Sequence, residues 1–528
     1  MLFNSLNFLI FFPIVTIAYF LLPQRFRWLL LLAASCYFYM AFIPAFILIL
    51  AFTITVDYFS GIAIEGAVGR RRKQFLIASI IANVGVLFFF KYFNFFNANL
   101  ALLANFLHWS YSLHALAIIL PIGLSFHTFQ SLSYTIEVYR GRQEAERHFG
   151  IFALYVMFYP QLVAGPIERP QNLLHQFREK HDVDVRRIGD GLVLMVYGFF
   201  MKLFIADNLA PFVNAVYDHP TEYLAPSFVI ATVFFAFQIY CDFAGYSYIA
   251  IGAARVMGFR LMQNFRQPYF SHSIGEFWHR WHISLSTWFK DYVYIPLGGS
   301  HVTKNLQVRN LLVTFLLSGL WHGANWTYIV WGALNGGYLV LEMFGTNLWR
   351  SFRGDSLALE GVSSETAINR APKKTDNFSE IAPLKAEERP QSVFLGALVG
   401  ILQTLLTFMF ICLAWVFFRA ESFHTAVYII GNMFTGWSHI GADVLQKDFA
   451  AKYIFMEKSD YDFYWAVSGI LGLLVGEYLF IKGYFLHAWN IEHPQLRYIL
   501  RWFLIATALL LIIIFAKTES QQFIYFQF

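Results

Sequence analysis

Long apolar stretches recur along the chain, parted by short polar or basic connections. A helix needs about 20 mostly apolar residues to cross a hydrocarbon core about 30 Å thick. Stretches of that kind lie at 6–23, 28–52, 75–96, 113–136, 188–206, 226–252, 309–321 continuing through 326–344, 394–418, 463–485 and 498–516. Shorter apolar pieces at 53–64, 151–164 and 422–434 fit either a crossing or a packed helix. The pattern predicts an all-α polytopic membrane protein with about eleven transmembrane or membrane-embedded helices. The first stretch lacks a basic leader and a small-residue cleavage site, so it reads as a retained helix rather than a signal peptide.

Three places break the pattern. Residues 151–170 end in MFYPQLVAGPIERP, with three prolines and a glycine within eleven residues. Irregular backbone at membrane depth survives where it is buried or lines a cavity, so a broken or re-entrant segment at a site is expected. Residues 274–292 place Trp278, Trp281, Leu285 and Trp288 on one helical stripe, with His279, Arg280, Lys290 and Asp291 away from it. That reads as one amphipathic helix at the membrane interface, roofing a cavity. Residues 351–392 carry 13 charges, six basic and seven acidic, and read as a solvated loop. The chain thus divides into a core over 1–345, a polar loop over 346–393, C-terminal helices over 394–516 and an aromatic tail over 517–528.

Composition sharpens this. The AVILMFWYC set makes up 58% of the 528 residues and 60 of them are Phe, while charged residues reach 13%, about half the share usual in soluble domains. So little charge cannot coat soluble domains, which excludes an ordinary soluble enzyme, a disordered scaffold and a nucleic-acid binder. The net charge of +5 is scattered along loops. Basic clusters at Arg25 and Arg27, at Arg70 to Lys73 and at Arg178 to Arg187 mark candidate cytoplasmic loops. The first two conflict with a single crossing between them unless 53–64 completes a second one. Cys36, Cys241 and Cys412 form no CxxC pattern and read as small buried residues.

Ionisable groups inside apolar runs default to functional candidates. His322 stands in SGLWHGANWTYIVWG, flanked by Gly319 and Gly323, whose missing side chains let another backbone or a substrate approach. His282 and His279 form an HxxH pair, but with no Glu inside it and no third ligand nearby no metal site is expected. Asp242 and Tyr246 lie in YCDFAGYSYIAIG, and a carboxylate there needs a partner, with Lys202, Arg255 and Asp207 as candidates. His127 reads as a core histidine.

The ordered series PIGLSFHTFQSLSYTIEVYRG, FYPQLVAGPIERP, YCDFAGYSYIAIG, NFRQPYFSHSIGEFWHRWHISLSTWFKDYVYIPLGG, GLWHGANWTYIVWG and AWVFFRAES resembles the membrane-bound O-acyltransferase family. Within it, the chain is similar to the bacterial alginate and peptidoglycan O-acetyltransferase branch, over roughly two thirds of its length. The resemblance implies the family fold with a central funnel, His322 as catalytic histidine and His282 as the second family histidine. His279 and Tyr248 depart from the family pattern, so no role is carried onto them. The tail ends with Phe523, Tyr525 and Phe528 as FxYxxF. This resembles the end of the small partner peptide of the teichoic-acid D-alanine system, which implies Tyr525 as a transient acyl carrier.

The family resemblance further implies acetyl transfer from cytoplasmic acetyl-CoA, a substrate and not a bound cofactor, across a bacterial inner membrane. An extracytoplasmic SGNH-type O-acetyltransferase would be the partner and a polysaccharide the acceptor. Trp321, Asn325, Asp242, Tyr246, Arg280 and Lys290 are assigned to substrate binding, with Asn325 or the backbone near Gly323 as oxyanion donors. The alternatives are a transporter or flippase of a lipid-linked sugar, or acylation of a lipid or protein hydroxyl.

Overall fold

A computed structural model describes residues 1–352, 393–435, 437, 447–483, 494–515 and 523–524. The polar loop falls almost wholly outside these residues, as does Tyr525. The described chain is built from helices. Six of them are long and apolar enough to cross a membrane: Pro44–Gly66, Arg70–Phe106, Val185–Asp218, Ala225–Met257, Gly396–Arg419 and Asp460–Ile481.

The Ala225–Met257 helix is the axis of the molecule. Of its most apolar stretch 83% is buried, against 22–44% for the other five, so it is the one packed mainly against protein. Two glycine pairs seat it against the Val185–Phe199 helix. A Cβ at Gly245 would stand 2.7 Å from the Gly198 carbonyl oxygen, and one at Gly252 2.6 Å from that of Gly191. Absent side chains at both levels bring the two backbones into contact. A short π-helical turn, Phe200–Ala206, follows this contact and turns Lys202 toward the axis.

Local chemistry explains where the structure departs from the apolar pattern. Residues 28–52 form no single crossing: one helix ends at Met40, Pro44 opens a short turn, and a second helix runs Ile47–Gly66. Two helices therefore separate the clusters at Arg25 and at Arg70, which removes the conflict over their sidedness. The stretch expected to begin at 113 becomes helical only at Leu124, after Pro121 and a left-handed Gly123 (φ +75°). The Trp326–Phe352 helix runs past 345, where the polar loop was expected to begin.

The segment over 151–170 is broken as expected. Helices Phe149–Met157 and Tyr159–Leu162 lead into irregular chain, and every residue from 151 to 168 is buried. Buried backbone must find partners inside the protein. The Tyr155 carbonyl accepts from the amides of Gln130 (2.5 Å) and Gln161 (3.0 Å), while its hydroxyl donates to the Glu168 carbonyl at 2.8 Å.

The segment over 274–292 is not one helix. It splits into Ile274–Arg280 and Ile283–Phe289, and its tryptophan stripe is packed inward. Trp281 lies 5.1 Å from Trp415, and Trp288 stacks on Phe129 at 3.7 Å between ring centroids. The Trp288 indole N–H donates to the Phe129 carbonyl and to Ser133 Oγ, both at 3.0 Å. With its polar edge satisfied internally, the ring has no need of an interface.

Candidate active site

His322 is the last residue of the Lys304–His322 helix and is buried. The helix is held close to its successor because Cβ atoms at Gly319 and Gly323 would collide with the Tyr328 carbonyl and ring. The small residues flanking His322 thus admit the next helix of the same chain. Trp331 at 4.9 Å and Phe418 at 5.3 Å wall the imidazole edge-on, and the His282 ring centroid lies 6.4 Å away.

His282 is the break between the two short helices. Its backbone is left-handed (φ 43°, ψ 51°), a conformation that costs a residue with a Cβ about 1–3 kcal/mol and persists only where the surroundings impose it. Asn264 is the main constraint. Its carbonyl accepts from Ile283 N at 2.9 Å, and its side-chain oxygen accepts from Ser284 N (3.2 Å) and Ser284 Oγ (3.0 Å). The Arg266 N–H donates to the Arg280 carbonyl at 2.9 Å on the other side of the break. His282 is buried against Phe243, with ring centroids 4.6 Å apart.

A cavity of about 50 Å³ opens at His322, lined also by Lys91, residues 120–126, Val163 and Trp321. One water needs about 10–15 Å³ by this measure, so a small polar group fits. The irregular chain around Gly123 forms one wall, as irregular backbone at membrane depth should. Nothing in the motif series points to Lys91. The available signal was an ionisable group inside the apolar run FFFKYFNFF.

On the other side of His282 sits the tail. Phe523 and Ile524 are buried, at 2% and 5% exposure. Phe523 packs 5.8 Å from Phe243 and stacks on Tyr246 at 4.8 Å, and Phe3 stacks on Tyr246 at 4.4 Å. The Ile524 N–H donates to Asp242 Oδ2 at 2.7 Å. Lys202 Nζ holds the other Asp242 oxygen at 2.6 Å and Asp207 at 2.8 Å, all three residues being buried. Of the candidates for the Asp242 partner, Lys202 is the one found, whereas Arg255 faces Asp190 at 3.7 Å. Of the two histidines, His322 thus lines the small cavity, and His282 is linked to the buried tail through Phe243.

The model of the membrane-bound O-acyltransferase family matches residues 16–356. The chain belongs to that family. As a membrane-bound O-acyltransferase it is an enzyme of acyl transfer, and its apolar helices make it a multi-pass membrane protein. It is 38% identical to probable alginate O-acetylases of Azotobacter vinelandii and Pseudomonas aeruginosa, with 82% of this chain aligned to 78% and 75% of theirs. It is 33% identical to the peptidoglycan O-acetyltransferase of Helicobacter pylori, over 82% of this chain and 80% of that one.

Of the remaining candidates of this acyltransferase, Trp321 stands beside both histidines, with ring centroids 5.0 Å from His322 and 6.2 Å from His282, and the others lie away from the cavity. Trp321 lines the cavity and stacks on Phe129 at 5.3 Å. Asn325 caps the following helix: its amide nitrogen donates to the Glu421 carbonyl (3.0 Å) and its oxygen accepts from Thr327 N (3.1 Å). Arg280 pairs with Glu276 at 2.5 Å, Lys290 begins the turn after Phe289, and neither lines the cavity. The exposed His279 ring is 2.6 Å from the Gly275 carbonyl. His127 is buried in the Leu124–Tyr139 helix, 6.1 Å from the Tyr39 ring.

Proposed function

We propose that this enzyme moves acetyl groups from acetyl-CoA at the cytoplasmic face of a bacterial inner membrane toward an extracytoplasmic polysaccharide; the names of its alginate- and peptidoglycan-modifying relatives support the acetyl group and the polysaccharide acceptor. His322 serves as general base with His282 beside it, and the Tyr525 hydroxyl is the transient acyl carrier. An SGNH-type partner outside the membrane completes delivery to the glycan. The observation that carries this reading is the tail seat. Phe523 packs on Phe243, which packs on His282, and the Ile524 N–H is fixed on Asp242. Tyr525 is the next residue in the sequence and lies outside the described residues.

The chemistry suits a phenol. A phenol and a thiol have ordinary pKa values of about 10 and about 8.5, so an acetyl-tyrosine keeps much of the transfer potential of a thioester. Full proton transfer from phenol to an ordinary imidazole, about 3.5 pKa units, costs roughly 5 kcal/mol. Deprotonation concerted with attack avoids that cost, and general-base help of this kind is worth about 10²–10⁴-fold.

Membranes given acetyl-labelled acetyl-CoA test the reading. Label should appear on Tyr525 by mass spectrometry of the C-terminal peptide and vanish in His322→Ala. Full polysaccharide acetylation by His322→Ala cells would end the proposal, and full activity in Tyr525→Phe would remove the relay alone. Label in lipid or protein without passage to glycan would reassign the acceptor.

A further inference from the structure

Lys91 and Tyr92 close the helix that carries His322. An α-helix leaves its last four carbonyls without helical partners. Here Gly323 N donates to the Gly319 carbonyl (3.4 Å) and Tyr92 OH to that of Leu320 (2.9 Å). Lys91 Nζ donates to the carbonyls of Trp321 (2.7 Å) and His322 (2.9 Å). All four carbonyls are accounted for, and in its protonated form Lys91 keeps one N–H beyond the two that these carbonyls engage. Lys91 has no ion-pair partner among the described residues, and it lines the cavity it shares with His322. A capping role alone needs no charge, and a cation without a counter-ion in an apolar interior is costly.

We infer that Lys91 is the oxyanion donor of this active site, its third N–H stabilising the tetrahedral intermediate formed on an acyl thioester in the cavity. This rests on the reading of His322 as base. The attacking hydroxyl oxygen gives its proton to His322 and bonds to the carbonyl carbon, and the C=O π pair moves onto the carbonyl oxygen. That oxygen, now negative, accepts from Lys91. When the C=O bond re-forms, the C–S bond breaks and the thiolate takes the proton from the imidazolium. The charge on the substrate exists only between these events, so the ammonium acts on the transition state more than on bound substrate.

The test uses the full-length protein in detergent or nanodiscs with acetyl-CoA, reading release of CoA thiol. Lys91→Gln keeps amide donors for the two carbonyls but removes the charge. Its kcat should fall about 10²–10³-fold with KM for acetyl-CoA little changed. Wild-type kcat in Lys91→Gln overturns the assignment, and so does a raised KM with unchanged kcat, which would mean binding of a ground-state anion. Should Lys91→Gln not fold, Lys91→Arg is compared with wild type using a trifluoromethyl ketone analogue of acetyl-CoA, which binds as a tetrahedral oxyanion. The affinity for the analogue must fall in proportion to kcat/KM, and a fall in kcat/KM without it overturns the role. His322→Ala run in parallel separates the two ideas. If it turns over normally the base reading fails, and if it is dead while Lys91→Gln is normal only the lysine's role fails.

Discussion

Asn264 shows how much one uncharged residue can decide here. It is 1% exposed and holds both the carbonyl and the side-chain contacts that keep His282 in a left-handed conformation. Asn264→Ala should leave Ser284 N and Oγ unsatisfied in the interior, at about 1–3 kcal/mol. It should also let the His282 ring move, and a misplacement of about 1 Å can cost roughly 10²-fold in rate. A thermal-shift measurement together with kcat separates these losses; a variant with lowered stability and normal kcat would show that His282 does not depend on this clamp. At this scale the sequence was partly readable. His322 and His282 stood out as histidines within apolar or tryptophan-rich chain. Asn264 did not, because an amide acquires meaning only from what it faces; Lys91 carried the signal of an ionisable group inside an apolar run, but it belongs to none of the motifs.

Between elements, glycine sets the distances that the site depends on. Gly245 and Gly198 bring the axial helix and its neighbour into backbone contact, one turn before Lys202 reaches Asp242. Gly245→Ala should place a methyl group 2.7 Å from the Gly198 carbonyl and push the helices apart. Overpacking of this kind costs about 1–3 kcal/mol. Because the Lys202–Asp242 contact would lengthen with it, the unfolding temperature and the tail-dependent labelling of Tyr525 should fall together. Most of the helices were legible from apolar length alone. Their interruptions were harder. Pro44 and the left-handed Gly123 were visible as residues, yet apolar flanks hid the breaks they cause. The split at His282 left no trace, since the Trp stripe keeps helical spacing across it.

Across the whole molecule, the tail and the core are joined through Asp242. Its carboxylate receives a backbone N–H from a residue 282 positions later in the chain, together with the Lys202 ammonium. Asp242→Ala removes that acceptor, while Asp242→Asn keeps an oxygen in its place. Hydrogen exchange at the Ile524 amide should therefore quicken sharply in the alanine variant and much less in the asparagine one. Equal protection in Asp242→Ala and wild type would show that aromatic packing by Phe523 alone seats the tail. Since Asp207 still pairs with Lys202 in either variant, the loss should be smaller than the roughly 3–5 kcal/mol typical when a buried charge loses its only partner.

Apolar length, periodicity and motif order are local properties written along the chain, so they already specified the solvent, the helical class and the family resemblance, and singled out two histidines as candidates. The tertiary structure alone decided which groups share a site. It brought Lys91 onto the last turn of a helix more than 200 residues away, Asp242 onto Ile524, and Phe418 and Trp331 around His322. It also gave Asn325 to a helix cap and kept Arg280 and Lys290 out of the cavity. The physical reason is that a hydrogen bond or a ring contact depends on proximity within a few ångströms, and in a bundle of packed helices that proximity is set by where glycines let backbones touch and where irregular chain turns them.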